Sequence, residues 1–112
     1  MAGAYGLIEV TGVVAAIDCL DAMTKAASVE LCTWERKLGG RLCTLIVEGE
    51  VSDVKASIEA AKAISKENNH NVASWGVIPA PCMETRKMVA MSAERLGKVL
   101  DEETGDIYLP EA

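Results

Sequence analysis

The sequence contains no phenylalanine, and its 112 residues include only two tryptophans and two tyrosines, although half of the chain is apolar. A core built on large aromatic rings is therefore excluded. We expect Val, Ile, Leu, Ala and Met side chains to fill it instead. A chain of this length forms one domain and can bury such a core without disulfides or a structural metal.

Long apolar runs and an excess of basic residues are also missing. No apolar run approaches the roughly 18 residues that span a bilayer, and the N-terminal residues carry no basic segment typical of a secretory signal. The formal net charge is -6, which argues against a general nucleic-acid binder. We therefore expect a cytoplasmic protein with neither a membrane nor a nucleic acid as partner.

The sequence lacks the spacings that bind metals or catalyse reactions. Its four cysteines, Cys19, Cys32, Cys43 and Cys82, form no CxxC pair and no cluster with His70. We expect the first three to be buried thiols, Cys82 to be more exposed after the Pro-Ala-Pro turn, and His70 to be an exposed loop residue. No metal, no cofactor and no catalytic residue is predicted, so the chain is not expected to be an enzyme.

Hydrophobic periodicity predicts the element order β-α-β-β-α-β-α. Two βαβ halves around one antiparallel sheet form a ferredoxin-like α+β sandwich, with helices on one face and an added C-terminal helix. Ser52 or Asp53 is expected to cap the second helix. An acidic tail over 101–112 is expected to dock only lightly, or on a neighbouring subunit. The predicted strands cover 4–11, 29–33, 42–47 and 72–78, and the predicted helices cover 13–27, 51–66 and 84–100.

The turn between the second and third strands is unusual in its charge. Gly39 and Gly40 suit a tight hairpin connection, because glycine adopts the positive φ that such turns require. Arg36, Lys37 and Arg41 place three cationic side chains around these glycines. The turn is either a solvated hairpin end with charges for solubility, or a local basic site in an acidic protein.

Five segments in register resemble the bacterial microcompartment shell proteins, the small BMC-domain family that forms hexamers. The resemblance runs from about residue 4 to residue 90. Any one of the segments is weak evidence, but five in order are strong. They are Gly6–Gly12 (family GMIET(R/K)G), Asp21–Val29 (DAMVKAANV), Thr44–Val51 (TVIVRGDV), Val54–Ala56 (VKAA) and Val77–Pro81 (VIPRP).

The resemblance implies a structural role without catalysis. The family's cyclic hexamers pack edge to edge into a shell around enzymes, and a pore on the six-fold axis passes small metabolites. The chain would therefore assemble as a homo-hexamer, contact other shell proteins, and lie in the microcompartment shell, with the enclosed enzymes as further candidate partners. The hairpin turn matches the family's KIGSG pore loop, which gives as pore-lining residues Arg36, Lys37, Leu38, Gly39, Gly40 and Arg41. Such a basic mouth would favour polar or anionic metabolites.

The resemblance also implies a hexamer-edge contact, made by Lys25, Ser28, Pro79, Ala80 and Pro81. Two of these depart from the family pattern, because Ser28 replaces an asparagine and Ala80 replaces the arginine of Pro-Arg-Pro. The hairpin has one residue more than usual before Thr44, and the pore serine is absent. We assign residues 1–90 to the shell domain and 91–112 to a C-terminal extension. Some relatives hold an iron–sulfur cluster at the pore through cysteine, but no cysteine lies at 34–41 here.

A second class of function shares this architecture. Small-molecule regulatory modules, such as ACT-like dimers or trimeric signalling proteins, bind ligands at subunit interfaces with glycine-containing loops. The fold alone does not separate these modules from shell proteins. The two hypotheses differ in the number of subunits that they predict.

Overall fold

The structure, a computed structural model, describes residues 3–111 and contains a four-stranded antiparallel sheet. The strand order is β2-β3-β1-β4, and every neighbouring pair is antiparallel. The predicted double βαβ order is therefore confirmed. The strands are β1 (Ala4–Val10), β2 (Glu30–Lys37), β3 (Leu42–Gly49) and β4 (Val72–Ile78), and the helices are α1 (Val13–Ala26), α2 (Val51–Glu67) and α3 (Met83–Ala93).

Apolar residues line both faces of the sheet, which is why helices cover both. Ile8 and Val10 of β1 pack in one buried cluster with α1 and α2. Tyr5, on the opposite face, packs in a second cluster with Val89 and Ala90 of α3. The expectation of helices on one face holds for α1 and α2 only. Because successive strand residues point to opposite faces, Tyr5 required a cover of its own.

The helix α3 is held to the sheet by one buried arginine. Arg86 Nη1 lies 3.2 Å from Glu48 Oε2, and Arg86 Nη2 donates to the Gly3 carbonyl at 3.0 Å. The guanidinium also lies 5.2 Å from the centre of the Tyr5 ring. Burial raises the pKa of Glu48 above its ordinary value, against the lowering effect of Arg86. This ion pair joins α3 to the C-terminal end of β3.

The predicted C-terminal helix over 84–100 is too long. α3 ends at Ala93, a short 3₁₀ turn follows, and Gly97 adopts the left-handed conformation with φ 79°. The chain then forms a small hairpin of β5 (Val99–Leu100) and β6 (Ile107–Tyr108). Ile107 is 8% exposed and joins the cluster around Tyr5. Through this side chain the tail packs into the core of its own domain, instead of making the light contact that the sequence predicted.

Two local predictions on the other helices were also wrong. α2 begins at Val51 after Glu50, so Ser52 and Asp53 lie inside its first turn and no side chain caps it. In α1 the buried side is formed by Ala15, Ala16, Cys19 and Met23, whereas Ile17 is 62% exposed. The predicted apolar stripe of α1 included Ile17. In a single subunit that side chain has no cover.

Candidate functional site

The paired strands of the hairpin between β2 and β3 are longer than the sequence indicates. β2 continues through Lys37, which pairs with Leu42, so the turn is confined to residues 38–41. Leu38, Gly39 and Gly40 have φ values of 55°, 69° and 91°. Positive φ is easy for glycine but costly for leucine, and such strain concentrates at functional sites. Leu38 is also 68% exposed, so its side chain does not anchor the hairpin.

Three cationic side chains project around this turn. Arg36, Lys37 and Arg41 are all exposed. Within residues 3–111, no carboxylate forms an ion pair with any of them. The Arg36 guanidinium lies 5.5 Å from the centre of the Trp34 ring, and Arg41 Nε donates to the Leu38 carbonyl at 3.2 Å. The hairpin end therefore carries positive charge without local compensation, in a chain whose net charge is negative.

The backbone of the turn is held against the start of α1. The Gly12 N–H donates to the Arg41 carbonyl at 3.0 Å, and Cys43 Sγ donates to the Gly40 carbonyl at 3.6 Å. A Cβ added to Gly40 would lie 3.1 Å from Val13 Cγ2. The Gly40 end of the turn is thus packed against α1, while Gly39 and the charged side chains remain exposed.

The C-terminal segment forms hydrogen bonds to β2 at the base of the hairpin, a contact that sequence reasoning missed. Lys98 Nζ donates to the carbonyls of Leu31 and Cys32, the latter at 3.0 Å. These carbonyls flank a β-bulge, because Leu31 pairs with Val47 and Thr33 pairs with Ile46, which leaves Cys32 unpaired. A bulge bends its strand and increases the local twist. The C-terminal segment therefore contacts β2 at the point where its direction changes.

A second polar contact lies closer to the hairpin end. Ser92 of α3 shares a hydrogen bond with Thr33 Oγ1 at 2.8 Å and donates to the Glu35 carboxylate. Arg95 Nη2 lies 3.6 Å from Glu35 Oε2. Burial raises the pKa of the Cys32 thiol to about 12, so this thiol stays protonated beside the bulge. Only the pairing of residues far apart in sequence brings these groups together.

The predicted edge residues lie at the opposite end of the domain from the hairpin turn. β4 ends at Ile78, which pairs with Tyr5 at the start of β1, and Pro79 and Ala80 follow there as exposed residues. Pro81 is buried. Ser28 is exposed, and its backbone N–H lies 3.4 Å from Asp53 Oδ1.

Lys25 is also exposed, with 74% of its side chain accessible, and its Nζ lies 2.7 Å from Asp21 Oδ2. It sits in the last turn of α1, the helix that begins beside the hairpin turn. The structure therefore separates the two predicted sets of residues along the length of the domain.

The remaining predictions concern the cysteines and His70. Cys19, Cys32 and Cys43 are buried and Cys82 is exposed, as predicted. His70 is not a fully exposed loop residue, because its Nε2 lies 2.8 Å from Asp18 Oδ2. Within residues 3–111, no group of three or more His, Cys, Asp or Glu side chains is arranged to hold a metal ion.

Comparison with known proteins links this geometry to one family. Residues 4–81 match the BMC domain. The chain is 41% identical over 86 residues to the bacterial microcompartment shell protein PduA of Citrobacter freundii, covering 77% of this chain and 90% of that protein. It is 44% identical over 78 residues to the microcompartment shell protein EutM of Escherichia coli K12, covering 70% and 78%. The carboxysome shell protein CcmK1 of Thermosynechococcus vestitus is 42% identical over 82 residues, covering 72% of each chain.

A solved structure shares the fold. The crystal structure of a microcompartment protein from Desulfitobacterium hafniense superposes with a TM-score of 0.69 at 24% identity. The match covers 78% of this chain, which spans about half, 48%, of that longer chain.

Proposed function

Because this chain belongs to the BMC domain family of microcompartment shell proteins, we propose that it forms cyclic hexamers that tile into the shell. In each hexamer the six hairpin turns surround a central pore for small polar or anionic metabolites. The protein acts as a structural tile and a selective passage, without catalysis of its own.

The observation that carries the pore assignment is the uncompensated charge at the hairpin end. Six copies of Arg36, Lys37 and Arg41 around one axis create a positive field that concentrates anions at the mouth. Gly39 has no atom within 4 Å of where its Cβ would lie, so its bare backbone is accessible to a passing solute. Nearby carboxylates that would cancel the field are engaged elsewhere, as Glu35 is with Ser92 and Arg95.

The two long sides of the domain support a ring. The side formed by α1 and β2 exposes Val14 and Ile17, which are 77% and 62% accessible. The side formed by β4 exposes Trp75 and Ile78, at 51% and 36%. Two different apolar surfaces on opposite sides of one subunit favour head-to-tail contacts, which close into a ring when the rotation fits.

The proposal also defines the partners and the location. The tile would contact copies of itself, other shell proteins and the enzymes enclosed by the shell, and it would lie in the shell of a cytoplasmic microcompartment. It needs no cofactor, metal, nucleic acid or membrane. No helix within residues 3–111 is long and apolar enough to cross a bilayer. We further propose residues 1–90 as the shell domain and 91–112 as an extension folded onto it.

Native mass spectrometry tests the ring. Six subunits of 11.9 kDa correspond to a particle of about 71 kDa. We expect this species to dominate at micromolar protein concentration. A dimer or a trimer as the largest species would contradict the central pore and favour the regulatory-module hypothesis.

We expect Lys25→Ala to abolish flat sheets of hexamers while leaving single hexamers intact. Lys25 is exposed at the end of α1 that lies away from the hairpin turn, so its loss removes an edge contact without touching the core. Negative-stain electron microscopy would score sheets, and native mass spectrometry would score hexamers. Lys87→Ala, an exposed lysine on the opposite face, is the matched control. Unchanged sheets in Lys25→Ala would remove this residue from the edge.

A further inference from the structure

Both tryptophans of the chain lie in one row across the sheet. Trp34 of β2 pairs with Leu45 of β3, Leu45 pairs with Ile8 of β1, and Ile8 pairs with Trp75 of β4. Directly paired residues on neighbouring strands point to the same face. The row therefore begins and ends with an indole ring, one at each outer strand, on the face that α1 and α2 cover.

The β2 end of this row borders an apolar cavity. The cavity has a volume of about 220 Å³ and lies between α1 and the outer strand, beside the exposed Ile17. No charged or polar side chain lines it, so water inside finds few hydrogen-bond partners. Its lining residues are Ala16, Ile17, Leu20, Leu31, Trp34 and Leu45.

The β4 end of the row exposes the second indole to solvent. Trp75 is 51% exposed, and Lys62 Nζ of α2 lies 3.8 Å from the centre of its ring. Lys62 and Lys66 both line the groove beside this ring. A cation over the face of an indole is attracted by the ring, so this contact favours the observed orientation of Trp75.

The charges beside the two ends differ. Asp21 follows Ile17 by one helical turn on the exposed side of α1, where its carboxylate forms an ion pair with Lys25 at 2.7 Å. In the groove beside Trp75, Lys62 pairs with Glu59 at 3.2 Å, whereas no carboxylate within residues 3–111 pairs with Lys66. One side of the subunit thus carries a carboxylate next to an apolar surface, and the other side carries an unpaired lysine next to an indole ring.

We propose that Trp75 of one subunit seats against the apolar cavity between α1 and β2 of the next subunit. The occupant of the cavity is thus a second copy of this chain, and the inference rests on the ring proposed above. Both tryptophans lie in one row of paired residues, so they lie at the same position along the strands. Trp75 of one copy therefore comes opposite Trp34 and Ile17 of the next. Lys62 and Lys66 then face Asp21 across the contact. Each subunit contributes one Trp75 side chain and one cavity, so every contact in the ring is the same.

Tryptophan fluorescence tests this contact directly. In a Trp34→Phe background, Trp75 is the sole tryptophan, and its accessibility is measured by acrylamide quenching. We expect the quenching constant in the assembled ring to be at least threefold lower than in subunits kept apart by Ile17→Asp. Native mass spectrometry of the same samples identifies the ring and the separate subunits.

The outcomes separate this inference from the proposed function. A ring of six in which Trp75 is as accessible as in the separate subunits would overturn the contact and leave the ring standing. Absence of any ring in the unmodified chain would overturn both. Protection of Trp75 in a symmetric dimer would mean that the β4 sides meet each other, which also contradicts the proposal.

Substitution provides an independent check. We expect Trp75→Ala to raise the dissociation constant of the ring at least tenfold, because a large aromatic anchor is removed. Met91→Ala, 72% exposed on α3, is the matched control and should leave the ring unchanged. Mixing Trp75→Ala with Ile17→Asp should produce heterodimers. The Trp75 side chain of the Ile17→Asp subunit is intact and can bind the intact cavity of the Trp75→Ala subunit. Equal behaviour of Trp75→Ala and Met91→Ala would refute the assignment.

Discussion

A chain with Arg36, Lys37 and Arg41 all changed to glutamate is expected to admit iodide through the shell at least tenfold more slowly. Each subunit would exchange three positive charges for three negative ones, so eighteen positions around one axis would change sign. Fields of this kind alter the local concentration of ions by about 10-fold to 1,000-fold. The same change should speed the entry of caesium.

Quenching of a fluorophore trapped inside assembled shells measures this effect. Iodide and caesium are both quenchers, so the two rates report anion and cation entry through the same particles. The triple glutamine variant should give intermediate rates for both ions. Because the Debye length falls from about 10 Å at 0.1 M salt to about 3 Å at 1 M, the difference should shrink at high salt.

A matched control makes the same kind of charge reversal, at two positions, away from the hairpin. Lys55→Glu with Lys87→Glu alters two exposed lysines on α2 and α3 and should leave both rates unchanged. Native mass spectrometry would verify that each variant still forms rings. Iodide entry that is insensitive to charge at the hairpin end would contradict the assignment of these residues to the pore.

The change Arg86→Met is expected to lower the free energy of unfolding by about 3–5 kcal/mol at neutral pH, the usual cost of removing one partner of a buried ion pair. The Arg86 and Glu48 side chains are only 9% and 16% exposed. Without the guanidinium, the Glu48 carboxylate would be buried uncompensated and the Gly3 carbonyl would lose its donor. Urea unfolding at one fixed protein concentration measures the loss.

The pH dependence of this variant has a definite sign. Burial already raises the pKa of Glu48, and the loss of Arg86 removes an effect that lowers it. The folded variant should then bind a proton at Glu48 more tightly than the unfolded chain does. Its stability therefore rises as the pH falls through the folded-state pKa, and the deficit relative to the unmodified chain shrinks in acid.

Two further variants locate the cause. Lys87→Met changes the adjacent, more exposed cation and should cost less than about 0.5 kcal/mol. Combining Arg86→Met with Glu48→Gln should recover part of the lost stability, because no buried charge is left unpaired. A double variant as unstable as Arg86→Met alone would show that the penalty does not come from the Glu48 charge.

The local pattern of the sequence predicted most of the secondary structure. The limits of β4 and the start of α2 agree with the structure, and the buried side of α2 consists of the predicted Val54, Ile58, Ala61 and Ser65 together with Ser57. These features depend on alternation and helical spacing within one segment, so neighbours in sequence suffice to predict them. The order of the elements, and with it the ferredoxin-like sandwich, follows from the same information.

The errors arose where a distant segment decides the outcome. Helical spacing continues through Leu96 and Leu100, but α3 ends at Ala93, Gly97 ends the 3₁₀ turn that follows, and Lys98 donates to the carbonyls of β2. Ile17 fits the apolar stripe of α1, yet it is 62% exposed because no other element of the subunit packs over it. Positive φ at Leu38 depends on a hairpin whose length is set by the pairing of Lys37 with Leu42.

The sequence by itself determined the family, the order of strands and helices, and the basic hairpin end. Each of these depends on short segments whose residues are close together along the chain. Only the tertiary structure decided the bulge at Cys32, the burial of Arg86 beside Glu48, and the row that joins Trp34 to Trp75. These features join segments that are far apart in the sequence, such as Arg86 and Glu48, which are 38 residues apart. Their geometry depends on strand register, because a shift of one residue would turn every side chain of a strand to the opposite face of the sheet.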